Sequence, residues 1–239
     1  MSEMGYSIKY ILDSLLVIVV VLAISLSSFV YNGSILVLNS SPKNSKTIII
    51  DAGHGGEDCG AIGRNGVFEK DINLLISCHL ANYLQIFGAS VCLTRTEDRL
   101  LYNESENIRG QRKIFDLKNR LIIAENYDDA IFISIHMNSF PIEKYSGLQV
   151  WYQENIEESY LLAKNIQQTV KSNLQSDNNR KVKSSDKSMY LLDQSNHPAV
   201  LIECGFLSNT EECIKLSSET YQKELSFVIA CAIIKTIRL

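Results

Sequence analysis

Short apolar runs alternate with longer stretches of helical spacing from Thr47 onward, and this alternation constrains the fold more than any other feature of the chain. Thr47 to Ile50 is a β-branched run stopping at Asp51, the signature of a buried strand. Ser90 to Thr94, Ala130 to Ile135, Leu148 to Tyr152, Met189 to Leu192 and Ala199 to Glu203 read the same way. Phe68 to Leu84 has helical spacing, with Ile72, Leu75, Ile76, Leu80, Tyr83 and Leu84 on one side and Gly88 placed to end it. Ile114 to Glu125, Glu157 to Leu174, Glu211 to Leu216 and Gln222 to Ile237 are further expected helices. Asp98 to Arg112 reads as a polar loop with local turns, and Asp177 to Lys187 as a mobile basic one. Strands alternating with helices predict a single α/β domain, a three-layer sandwich with a mostly parallel sheet.

Composition narrows the function. A net charge of −4 lacks the basic surplus of a nucleic-acid binder. The six cysteines include no CxxC pair, which argues against a zinc ribbon or redox motif. Cys78 and Cys92 read as small core residues, and spacing assigns no disulfide.

Leu15 to Val30 is almost wholly apolar, and Ile11 and Leu12 lengthen it toward a membrane span. An uncleaved anchor suits this length better than a cleavable signal peptide, whose apolar region is shorter and ends in a small-residue site. Residues 1–31 are therefore expected to form a signal-anchor segment, residues 32–46 a linker rich in Asn, Gly and Ser, and residues 47–239 the folded α/β domain. The expected address is extracytoplasmic, membrane-anchored or secreted.

In parallel sheets, ligands gather at the carboxyl ends of strands. His54 follows the first expected strand, His136 ends the third, and Glu203 ends the run Ala199-Val-Leu-Ile. A carboxylate at the end of such a run is unfavourable unless paired or near a metal. Glu69 opens a helix after a glycine-rich loop, where an acidic residue also complements the helix dipole. A zinc hydrolase needs about three ligands from His, Glu or Asp and a separate carboxylate for proton transfer. His79, inside a helix, and His197, in a turn before Pro198, are set aside.

Six pieces occur in order: Ile50-Asp-Ala-Gly-His-Gly-Gly, Gly60-Ala-Ile-Gly, Glu69-Lys-Asp-Ile-Asn73, Leu93-Thr-Arg-Thr-Glu-Asp98, Phe132-Ile-Ser-Ile-His-Met-Asn-Ser139 and Pro198-Ala-Val-Leu-Ile-Glu-Cys-Gly-Phe-Leu-Ser-Asn209. Together they resemble the zinc-dependent N-acetylmuramoyl-L-alanine amidases from about Lys46 to the C-terminus. The resemblance implies a mostly parallel six-stranded sheet flanked by helices. It implies a zinc ion held by His54, Glu69 and His136, with Glu203 as the general acid/base. The implied reaction is hydrolysis of the amide joining N-acetylmuramic acid to L-alanine in peptidoglycan. Cys204 is a local variation within the last piece.

Asn107 to Arg120 resembles the corresponding stretch of sporulation amidases that act on spore cortex and lead to muramic δ-lactam; read without the resemblance, it is a solvated basic helix. The cortex reading implies the forespore intermembrane space. A vegetative cell-separation amidase and a zinc carboxypeptidase of wall peptides are the alternatives. The sequence leaves open whether a regulatory protein partner is needed.

Overall fold

The computed structural model describes residues 46–237, so the expected anchor and nearly all of the expected linker lie outside the described residues. Among those residues no helix is long and apolar enough to cross a membrane. Six strands form one sheet: β1 (Thr47–Ala52), β2 (Ser90–Leu93), β3 (Ala130–Asn138), β4 (Gln149–Tyr152), β5 (Lys183–Ser184) and β6 (Ala199–Phe206), in the order β2-β1-β3-β6-β4-β5. The β4–β6 pairing is antiparallel and the other four are parallel. The α-helices are α1 (Glu69–Ile86), α2 (Arg112–Glu125), α3 (Glu157–Asn173), α4 (Tyr190–Gln194), α5 (Thr210–Leu216) and α6 (Glu219–Ile237), with a 3-10 turn at Glu104–Glu106 in the loop before α2.

Side chains alternate across each strand, and this period sorts the core into two layers. Ile48, Ile50, Ile131, Ile133, Val200 and Ile202 pack against α1, α3 and α6. Ile49, Ala130, Phe132 and Ala199 face the other way, onto Leu121 and Ala124 of α2 and Leu191 and Leu192 of α4. The result is the expected three-layer sandwich with a mostly parallel sheet. The first helix ends as its glycine suggested: Gly88 has φ +84° and its N–H reaches the Gln85 carbonyl.

Four local readings are corrected. Met189 to Leu192 is not a strand but the entry to the one-turn helix α4. Leu191 and Leu192 are both buried in the same layer, which a helical turn permits and strand alternation forbids. The sixth strand is Lys183–Ser184, inside the stretch read as a mobile loop. It pairs through its backbone with Trp151 and Tyr152, and the Lys183 ammonium lies 4.9 Å from the centre of the Trp151 ring. Leu75, placed on the core side of α1, is 48% exposed. The six cysteines are free; Cys204 and Cys213 are the buried ones, whereas Cys78 and Cys92 are only half-buried.

On the α2 side of the sheet, apolar residues give way to polar ones toward the strand ends: Ile49 to Asp51, Phe132 to Ser134 and His136, Leu201 to Glu203. Asp51 is fully buried and accepts from Thr94 Oγ1 at 2.8 Å, Ser134 Oγ at 2.7 Å and Arg120 Nη1 at 2.6 Å. Burial pushes its carboxyl upward, but the Arg120 guanidinium and the two hydroxyls outweigh this and hold it below the usual carboxylate range. Arg120, itself 1% exposed, also pairs with Asp116. The Asn107 to Arg120 stretch is therefore solvated at Arg109, Lys113 and Lys118 but not at Asp116 and Arg120.

Arg120→Met would leave Asp51 and Asp116 buried without their cation. Loss of one partner from a buried ion pair destabilises by about 3–5 kcal/mol, so the urea midpoint should fall steeply. A loss no larger than that from breaking the exposed Lys223–Glu219 pair would mean that the buried network does not hold the domain together.

Candidate metal centre

The chain leaves β1 through Gly53 and His54, where the backbone reverses. His54 has φ 61° and is the one non-glycine with positive φ among the described residues. This left-handed conformation is unfavourable by roughly 1–2 kcal/mol for a residue with a side chain. It persists because the surrounding carbonyls are gripped. Arg120 donates to Ala52 O at 2.7 Å and to His54 O at 2.8 Å. Arg95 donates to Ala52 O at 2.8 Å and Gly53 O at 3.0 Å, and Asn73 Nδ2 donates to Gly53 O at 3.1 Å. Strain overdetermined by its surroundings is characteristic of functional sites.

The three sequence-derived ligand candidates converge. Glu69, at the start of α1, is 3% exposed. Its Oε1 lies 3.3 Å from His54 Nε2 and 3.0 Å from His136 Nδ1, and accepts from the Met137 N–H at 3.0 Å. Its Oε2 accepts from the Ala61 N–H at 2.8 Å. The His54 and His136 ring centres are 4.9 Å apart and nearly perpendicular. One donor atom from each of His54, Glu69 and His136 lies within 4.8 Å of the others, so the group could hold a metal ion.

Asp58, which sequence reasoning missed, accepts from His54 Nδ1 at 2.9 Å and so turns Nε2 inward. A carboxylate behind a histidine fixes tautomer and ring orientation in this way at metal sites. Its one sequence signal is its position four residues beyond His54. Burial alone would lower the His54 pKa, but Asp58 and Glu69 raise it to about 9. Glu69 is pushed up by burial and pulled down further by the two imidazoles, which leaves it well below the carboxylate range.

The donor set fits a divalent ion. Two imidazoles and a carboxylate converge, and the backbone keeps clear of them. A Cβ on Gly53 would stand 2.3 Å from the His136 ring, and one on Gly60 would stand 2.6 Å from Glu69 Oε2 and 2.7 Å from His54 Cδ2. Glycine at both positions makes room for the cradle.

Glu203 is the register partner of His136 on the neighbouring strand, so the two side chains leave the same face. Immediately beyond them the β3–β6 register slips. Glu203 Oε2 is buried and has no hydrogen-bond partner among the described residues. Burial raises its pKa to about 7 against the lowering influence of His136. His54, His136 and Glu203 line a cleft of about 290 Å³ together with Lys113, Met189 and Tyr190. His79 and His197, set aside on sequence, do not line it.

Gly53→Ala should displace the His136 ring and weaken metal retention at least tenfold, the low end of the range for disturbed support around metal ligands. Equilibrium dialysis against a divalent ion would measure this. Wild-type affinity in the variant would show that the ring has slack the structure does not display.

Residues 48–235 match the family described as N-acetylmuramoyl-L-alanine amidase. The germination-specific N-acetylmuramoyl-L-alanine amidase of Bacillus subtilis (strain 168) is 36% identical over 196 residues, covering 82% of this chain and 81% of that one. The CwlD amidase from Clostridioides difficile, solved in complex with the GerS lipoprotein, is 44% identical with a TM-score of 0.77 over 81% of this chain and 99% of that one. The amidase AmiC2 of Nostoc punctiforme is 31% identical, with a TM-score of 0.70 over 82% of this chain and 100% of that one. With this fold and these motifs, the chain belongs to the N-acetylmuramoyl-L-alanine amidase family.

Proposed function

We propose that this amidase hydrolyses the bond between N-acetylmuramic acid and L-alanine as a zinc enzyme of spore cortex, in a step toward muramic δ-lactam. The observation that carries the reading is the pairing of a three-donor cradle with a sheltered carboxylate that is not one of the donors. His54, Glu69 and His136 would hold the zinc ion. When bound, zinc supplies Lewis acidity toward the amide carbonyl and makes hydroxide available near neutral pH. Glu203 takes the proton from the attacking water and passes it to the leaving nitrogen of L-alanine. Its free oxygen beside His136 suits that role. Asp58 keeps the His54 ring turned toward the site. The buried arginines hold the turn that presents it.

The cortex assignment is supported by likeness to the germination-specific enzyme of Bacillus subtilis and by the Asn107 to Arg120 stretch. The C. difficile relative was solved with a lipoprotein, which supports a protein partner for this chain as well. Residues 1–31 are proposed to anchor the enzyme and residues 32–46 to tether it, giving an extracytoplasmic address such as the forespore intermembrane space.

Mass spectrometry of muropeptides tests the reading. Digestion of cortex peptidoglycan should free L-alanine amino termini, a chelator should stop it, and re-added zinc should restore it. Release of D-alanine instead would identify a carboxypeptidase. Efficient digestion of vegetative wall with cortex left intact would identify a cell-separation enzyme. Glu203→Gln should retain one zinc per chain and lose at least about a hundredfold in turnover; near-normal turnover would assign the proton transfer elsewhere. A chain beginning at Ser45 should be soluble, folded and active. Its aggregation with loss of helical signal would mean that the leading residues belong to the domain.

A further inference from the structure

One face of α2 runs along the cleft, presenting Lys113, Asp116, Leu117 and Arg120. Two of these are fully committed. The five N–H groups of Arg120 are all taken, by Asp116, Asp51, Ala52 O and His54 O. Asp116 receives Arg120 and the Leu101 N–H. Lys113 differs. Its ammonium lies 3.0 Å from Asp58 Oδ2 and its side chain is 63% exposed. An ammonium has three donors, so this contact leaves two free. Lys113 is thus the one lysine or arginine lining the cleft with donors to spare.

The substrate is asymmetric in charge. On the glycan side the lactyl carboxyl is tied up in the scissile amide and the sugars are neutral. The stem peptide carries free carboxylates. Of the acids lining the cleft, Asp51 and Asp116 are paired with Arg120 and Asp58 with His54, and Met189, Leu191 and Leu192 add apolar lining. Among the lining side chains of lysine and arginine, Lys113 is the one that can still receive a peptide carboxylate.

We propose that Lys113 determines specificity: it binds a stem-peptide carboxylate and so lays the peptide half of the substrate along α2. The assignment rests on the amidase reading.

The test uses the zinc-loaded full chain and two soluble muramoyl peptides, one with D-glutamate after L-alanine and one with its carboxamide. The wild type should favour the free carboxylate by about fivefold in kcat/KM, the upper range for a partly exposed ion pair, with the difference carried by KM. Lys113→Met should erase the preference, Lys113→Arg should keep it and Lys113→Glu should reverse it. Because any effect through Asp58 and His54 acts on both substrates alike, the ratio isolates recognition of the carboxylate. Equal wild-type kinetics on the two substrates would overturn the assignment, as would a Lys113→Met defect of equal size on both. Cleavage of neither by the wild type would overturn the amidase reading and the assignment with it.

Discussion

The guanidiniums of Arg95 and Arg120 hold the turn on which the site depends. Where the chain leaves β1, the carbonyls of Ala52, Gly53 and His54 can no longer all be satisfied by neighbouring strands, and buried carbonyls without partners are unfavourable. Both arginines reach in and take them. Buried cations need counter-charge: Asp51 and Asp116 pair directly with Arg120, while Arg95 donates to backbone carbonyls and feels Asp51, Asp98 and Asp116 through their charge. Asp51 in turn is held by hydroxyls from the ends of the adjoining strands. A continuous polar network thus joins the middle of the sheet to the backbone of His54, and the left-handed turn is its last link.

Two glutamates close to the same histidines have opposite environments. Glu69 is surrounded by donors, from two imidazoles and two backbone N–H groups, and stays ionised. Glu203 shares the strand register of His136, yet one of its oxygens meets no donor among the described residues. Such separation of two carboxyl environments is how one site assigns one group to binding and the other to proton transfer.

What could be read from sequence followed how each residue is held. β1 and β3 are buried on both faces, so their apolar runs announce them. β5 is held by its backbone pairing and the Lys183 ammonium over the Trp151 ring, and its Lys-Ser pair carries no apolar signal. The run Met189 to Leu192 was apolar enough for a strand but too short for periodicity to separate strand from helical turn. His54, His136 and Glu203 could be placed at strand ends. Their convergence with Glu69 came only through resemblance, because nothing in local spacing fixes which strands are neighbours. Arg95 and Arg120 were invisible for a different reason. A basic residue among polar neighbours reads as solvated, and only tertiary contacts show that these two are buried.

The register slip between β3 and β6 bears on how the chain can vary in length. Between His136 and Asn138 one strand advances by two residues, while from Glu203 to Phe206 the other advances by three. Side chains alternate faces, so a one-residue insertion or deletion upstream of Glu203 within β6 would send its carboxylate through to the opposite layer. Past the slip the phase has already been reset, and the Phe206 N–H is caught by Glu212 and the Leu207 N–H by Asn138 O. The extra residue acts as an expansion joint. Changes of length in the loops that follow can be absorbed there without shifting Glu203 out of step with His136, whereas a change before the slip reaches the candidate site directly.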